Sequence, residues 1–210
     1  MSRTLRTWPA VSERTRVLLD KGREAEDDLA FKEALKYCEE ALALEPDNPT
    51  CVGAVAGVLV RLSRWDRVVE LDRRLLVMYP DDAPMWQSLG NVLLSFLHKP
   101  QEAEEAYRKA VEIDGAQLAY HIGLIQSLSA SGRHDEAITH AERTLRNEQI
   151  EQRAEDQAFL HELYGDVLFR GERKSDAAEA YGKALDLRVA GDPRRVELQR
   201  KELVAKQTLQ

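Results

Sequence analysis

Strand-forming signals are scarce in this chain. No run of Val, Ile, Thr or aromatic residues alternates cleanly between turn clusters, and aromatics make up only 6% of the 210 residues. Cysteine is nearly absent: Cys38 and Cys51 are too few for a disulfide framework and show no metal-binding spacing. No stretch approaches the roughly 20 apolar residues of a membrane-spanning helix. The first residues carry no apolar run before their charges resume, so no signal peptide is read there. These features predict a cytoplasmic protein with no membrane partner. A basic excess is missing too. The net charge of −7 argues against general nucleic-acid binding, which needs a basic stripe.

Catalytic signatures are likewise missing. The five histidines, His98, His121, His134, His140 and His161, form no HisGluxxHis pair. No phosphate-binding glycine loop or GlyxSerxGly elbow is present. Gly53 to Gly57 reads as helix packing, and pairs such as Glu39–Glu40 and Asp81–Asp82 read as solvated faces or caps. No catalytic residue, metal ligand or cofactor is expected, and the chain is not predicted to be an enzyme.

What the chain does contain is helix-forming material. Ala, Leu, Glu and Arg are abundant, with 43% hydrophobic and 32% charged residues. The charge is uneven. Residues 1–23 hold six Arg or Lys against two acids, and residues 188–210 hold six against three, leaving an acidic body between two basic ends. Such a pattern suits ordinary surface charge, or self-association of ends with body.

Internal periodicity decides the fold. A pattern small–x–x–x–bulky–x–x–small recurs five times, ending at Ala41, Leu75, Ala110, Thr144 and Ala184, at intervals of 34, 35, 34 and 40 residues. Pro46 and Pro80 stand just past two of these markers. Trp86, Leu89, Gly90 and Leu93 precede the third, and His161, Tyr164, Gly165 and Leu168 the fifth. The sequence thereby resembles the tetratricopeptide-repeat family over about residues 15–190. The resemblance implies an all-α fold, a right-handed superhelical array of antiparallel helix hairpins. The expected organisation is an N-terminal segment (1–14), hairpins at about 15–48, 49–82, 83–117, 118–151 and 158–191, an insert near 152–157, and a capping helix at 193–210. Small residues at Gly22, Ala56, Gly90 and Gly165 are expected to let paired helices approach. Gly132 and Gly171 are expected to supply positive φ at turns, and Asn48–Pro49 and Asp192–Pro193 to start helices. The insert reads as a longer second helix or an irregular joint.

In this family the first helix of each hairpin lines a concave groove that holds partners. Carried onto this sequence, the groove includes Arg23 from the first repeat and Gly57, Val60 and Arg61 from the second. Gln87, Asn91 and Ser95 come from the third, Ile122 and Gln126 from the fourth, and Asp166 from the fifth. Its middle is small, apolar or amide-bearing, and amides both donate and accept to an extended backbone. The resemblance thus implies a protein-interaction scaffold that binds a peptide or helix of a partner protein. A chaperone-tail clamp is disfavoured, because its places hold Leu19, Arg23, Ala54, Pro84 and Ser88, of which Arg23 alone is cationic. Self-assembly is the alternative, through the termini or through Trp8–Pro9 entering a groove. An RNA-binding helical array is the remote one.

Overall fold

The computed structural model describes residues 9–150 and 153–207. These residues form eleven helices and no strand. The helices are α1 (Glu13–Asp27), α2 (Phe31–Leu44), α3 (Pro49–Arg61), α4 (Trp65–Met78), α5 (Ala83–Ser95), α6 (Pro100–Ile113), α7 (Leu118–Ala130), α8 (His134–Leu145), α9 (Ala154–Arg170), α10 (Lys174–Leu187) and α11 (Arg194–Gln207). Successive helices pair as hairpins α1/α2, α3/α4, α5/α6, α7/α8 and α9/α10, and α11 packs on α10. The chain divides into two compact units, Met1–Asp81 and Asp82–Gln210. Residues 1–8 of the expected N-terminal segment, Trp8 among them, residue 151 at the end of the fourth expected hairpin, residue 152 of the expected insert, and residues 208–210 of the expected cap lie outside the described residues.

Local chemistry sets the helix ends. Ser12 Oγ accepts from Thr15 N at 3.3 Å, and Asn48 Oδ1 accepts from Thr50 N at 3.0 Å with Pro49 as the first helical residue. Asp82 Oδ1 accepts from Met85 N at 3.1 Å. Asp192 Oδ1 accepts from Arg194 N at 2.8 Å, starting α11. Each supplies an acceptor to an amide the helix cannot satisfy itself.

Every hairpin turn holds one residue in the left-handed region: Leu29 (φ 59°), Ser63 (φ 54°), His98 (φ 53°), Gly132 (φ 76°) and Glu172 (φ 61°). Gly171 does not fill this role, contrary to expectation. Its φ is −82°, and the next residue makes the turn. The reason is hydrogen bonding. Glu172 N and Arg173 N return to Phe169 O and Leu168 O, which closes α9 around the residue after the glycine.

Each unit is held together by small residues facing a larger side chain. Ala34, Ala41, Ala103, Ala110, Ala137, Ala141, Ala177 and Ala184 are fully buried on the second helices. A Cβ on Gly22 would stand 2.8 Å from Cys38 Sγ, one on Gly90 would stand 2.9 Å from the Tyr107 ring, and one on Gly165 would stand 2.6 Å from the Tyr181 ring. Gly123 of the next hairpin abuts the same Tyr107 ring. Gly53 and Gly57 differ. A Cβ there would meet nothing within 4 Å, so packing does not account for them.

The extra residues after the fourth hairpin do not lengthen its second helix, since α8 ends at Leu145. Ile150 is buried after it, and residues 154–157 belong to the start of α9, which runs 17 residues. The cap α11 buries Leu198 and Ala205 completely, but its outer side exposes Val196 and Leu203, so it is less polar than an end layer is expected to be.

Candidate functional site

The expected groove residues fall into two sets, one in each unit. In the first unit, Arg23 is exposed and donates to Asp20 Oδ1 at 2.8 Å, which spends its charge. Gly57 leaves the α3 backbone bare, and Val60 and Arg61 are exposed at the end of that helix.

In the second unit, α5, α7 and α9 contribute the remaining residues. Asn91 is exposed, yet its Oδ1 accepts from Tyr107 Oη at 2.8 Å. Gln87 is half-buried, and Ser95 and Gln126 are exposed; none of the three has a hydrogen-bond partner among the described residues. Ser129 Oγ on α7 receives a bond from Arg170 Nη1 on α9 at 3.2 Å, which ties the two first helices together. Ile122 is half-buried and lines a cavity of about 640 Å³ with Ala119, Gln149, Arg153 and Asp156, where α7 begins beside the α8–α9 joint.

Asp166 has internal partners of its own. Its Oδ1 accepts from Tyr181 Oη at 2.9 Å and lies 3.0 Å from Lys201 Nζ on α11. Lys201 also reaches Glu162 at 3.0 Å, and Glu162 pairs with the buried Arg188 at 3.2 Å. Asp166 therefore faces the cap helix.

Three polar arrangements were not among the expected site residues. Asp72 on α4 is 7% exposed and its Oδ2 has no partner. Burial pushes its carboxyl up to about 6. It occupies the repeat position that holds Tyr107 and Tyr181 elsewhere, so the repeat alignment carried the signal. His121, 7% exposed, lies 3.0 Å through Nδ1 from His140 Nε2 and 3.0 Å through Nε2 from Gly115 O. A carbonyl only accepts, so the proton of His121 sits on Nε2 and its Nδ1 accepts from His140 Nε2–H. Burial first, then His121, Arg108 and Arg143, push His140 down to about 4. Finally, Glu104 on α6 is buried and holds two guanidinium groups, Arg133 at 2.6 Å and Arg108 at 2.8 Å.

Among the described residues no three His, Cys, Asp or Glu side chains stand together to hold a metal ion, and no helix is long and apolar enough to cross a membrane. The geometry offers exposed hydrogen-bonding side chains on rigid helices.

The sequence pattern of the tetratricopeptide repeat matches residues 83–117, which span α5, α6 and the turn before α7. The chain carries the tetratricopeptide repeat. Over 109 residues, 52% of its length, it is 29% identical to the anaphase-promoting complex subunit CDC16 of Saccharomyces cerevisiae (strain ATCC 204508 / S288c), of which the match covers 13%. It is 24% identical over 108 residues to the Homo sapiens cell division cycle protein 16 homolog, covering 51% of this chain and 17% of that protein. The chain thus spans less than a fifth of either relative. Two solved structures share the tetratricopeptide fold. MamA superposes with a TM-score of 0.73 at 18% identity over 86% of this chain and 99% of its own. YrrB, described as a TPR protein with an unusual peptide-binding site, gives 0.69 at 18% identity over 94% and 100%.

Proposed function

We infer that this chain is a non-catalytic scaffold that holds an extended segment of a partner protein against the first helices of its second unit. The observation that carries this reading is the set of unspent hydrogen-bonding groups there. The side chains of Gln87, Ser95 and Gln126 have no hydrogen-bond partner among the described residues. Tyr107 fixes Asn91 through Oδ1, and the two N–H donors of its amide meet no acceptor among the described residues. An extended backbone presents alternating donors and acceptors, which amide side chains on a rigid face match at low ordering cost. The likeness to CDC16, a subunit of a complex, agrees with a role in assemblies. Cys38 and Cys51 are buried free thiols, with Cys38 pushed up to about 11 by burial, which suits a reducing compartment such as the cytoplasm.

The test uses Ser95→Arg/Gln126→Arg, two exposed positions without packing duties, in preference to Asn91, which Tyr107 holds. The wild type and the folded double variant are used to capture partners from the native source, and the affinity of the identified partner is then measured. The variant is expected to bind at least about tenfold more weakly. Equal affinity of both proteins for that partner places binding elsewhere and ends this reading.

A further inference from the structure

Cys38, Asp72, Tyr107 and Tyr181 each stand three residues before a repeat marker on a second helix. In three of these hairpins that side chain lies directly against a glycine of its own first helix: Cys38 against Gly22, Tyr107 against Gly90 and Tyr181 against Gly165. Ala56 holds the glycine's place on α3, so the repeat sets Asp72 against Ala56 and beside the next residue, Gly57. In the third and fifth hairpins that next residue is Asn91 or Asp166, and it takes the tyrosine hydroxyl at 2.8 or 2.9 Å. The second hairpin has a glycine there and no side chain to bond.

Asp72 is left without a partner. It is 7% exposed, and neither carboxyl oxygen meets a donor or a cation among the described residues. Burial alone raises its carboxyl to about 6, so no neighbouring charge, that of Arg61 included, offsets it. A buried acid without a donor is costly to keep. The α3 surface beside it is open. Gly53 and Gly57 are exposed one turn apart on one face, and a Cβ on either would meet nothing within 4 Å. Packing does not require them, and each weakens the helix relative to alanine. Bare backbone does permit the close approach of another chain. Val60, 41% exposed, extends the same face. Residues 9–81 hold fifteen Asp or Glu against eleven Arg or Lys, and Arg23 on α1 is already paired with Asp20.

We propose that α3 and Asp72 form a subsite for a lysine side chain of a partner protein, its stem lying across the bare backbone at Gly57 against Val60 and its ammonium donating to the Asp72 carboxylate. The ammonium supplies both the hydrogen-bond donors and the counter-charge that Asp72 lacks. In the third and fifth hairpins a tyrosine of the chain itself reaches outward to the residue after the glycine. Here the partner's side chain reaches inward over the same place. The subsite lies in the first unit and does not rest on the binding assigned to Gln87, Ser95 and Gln126.

The test is an NMR titration of the full chain with acetyl-Ala-Ala-Lys-Ala-Ala-amide into the tens of millimolar. Resonance shifts are expected to centre on Gly57, Val60 and Asp72, and the Asp72 carboxyl to titrate at lower pH with the peptide bound. The same peptide with norleucine for lysine is expected to bind at least about tenfold more weakly. So is the lysine peptide once pH falls below about 6 and Asp72 takes up its proton. Asp72→Asn keeps the shape of the side chain, and Gly57→Leu covers the opening where packing leaves room. Each is expected to weaken lysine binding at least about tenfold, whereas Ser95→Arg/Gln126→Arg should leave it unchanged. A lysine peptide that shifts nothing at Gly57 overturns the proposal. So does a norleucine peptide that binds equally well, or binding that folded Asp72→Asn retains in full.

Discussion

Tyr107 donates its hydroxyl proton to Asn91 at 2.8 Å while its ring fills the space that side chains on Gly90 and Gly123 would need. One residue of α6 thus meets its own hairpin partner and the first helix of the next hairpin. The arrangement repeats at the other end of the unit, where Tyr181 faces Gly165 and bonds Asp166. Gly123→Ala gains helix propensity of about 1 kcal/mol but drives a methyl into the Tyr107 ring, and overpacking costs about 1–3 kcal/mol or more. The net expectation is a loss of about 1–2 kcal/mol in urea unfolding. Combining Gly123→Ala with Tyr107→Leu should recover part of that loss; a double variant whose loss is the simple sum removes the steric explanation.

The buried carboxyl of Asp72 and the histidine pair pull stability in opposite directions with pH. Asp72 is raised from 3.8 to about 6 by burial, so the fold favours its protonated form. Its contribution is fully present below about pH 4 and is lost as pH rises through 6. His140 is lowered from 6.5 to about 4, so the fold favours its neutral form. That contribution is present above about pH 6.5 and is lost as pH falls toward 4. Each shift corresponds to about 3 kcal/mol at 1.36 kcal/mol per unit, and the two windows overlap. The wild type should therefore show a shallow stability profile between pH 4 and 6. Asp72→Asn should be more stable at pH 7 and fall steeply on acidification, whereas His140→Gln should become more stable as pH drops across that range. Parallel profiles for all three proteins contradict this assignment.

Much of this was legible in the repeat. The spacing of Ala41, Leu75, Ala110, Thr144 and Ala184 marks the second helices, and the close approach of Gly22, Gly90 and Gly165 to a larger side chain follows from the same alignment. The turn conformations were less legible. Glycine is the usual left-handed residue, but Leu29, Ser63, His98 and Glu172 adopt that conformation because the returning amide bonds of the turn require it. Position alone did not reveal that Asp166 faces α11, since Lys201 is 35 residues away in sequence. Nor did it reveal that Asn91, expected to meet a ligand, has its oxygen engaged by Tyr107. The His121–His140 bond depends on ring orientations that helical periodicity does not encode.

The left-handed turns give a direct stability test. A non-glycine residue in this region costs about 1–2 kcal/mol, partly offset because glycine raises the entropy of the unfolded chain. Ser63→Gly is therefore expected to stabilise the protein by about 0.5–1 kcal/mol. Gly132→Ala, at φ 76°, should lower stability by about 1 kcal/mol. Both are read as shifts of the urea midpoint with unchanged slope. Effects of the same sign in both variants would show that turn conformation is not the determinant.

Glu162 holds the cap helix to the rest of its unit. Its carboxylate takes Arg188 at 3.2 Å and Lys201 at 3.0 Å, so one acid joins α9 both to the residue closing α10 and to α11. The Arg188 side chain is almost entirely buried, and with Glu162 gone its remaining acid among the described residues is Asp192 at 2.9 Å. A buried charge that loses a partner costs more than the pair contributed, because it cannot return to water. Glu162→Gln is therefore expected to cost about 2–3 kcal/mol, at or below the lower end of buried-pair losses. The damage should also be local. Arg195 still donates to Leu185 O and Arg188 O at 2.6 Å, but Lys201 is left with Asp166 as its one carboxylate among the described residues, beside the Tyr181 ring, so the C-terminal half of α11 should loosen first. Hydrogen exchange should quicken in residues near Lys201 and Ala205 while α5 and α6 stay protected. Uniform acceleration across α5 to α11 would instead mean that Glu162 supports the unit as a whole. No acceleration in α11 would remove it as the tether of the cap.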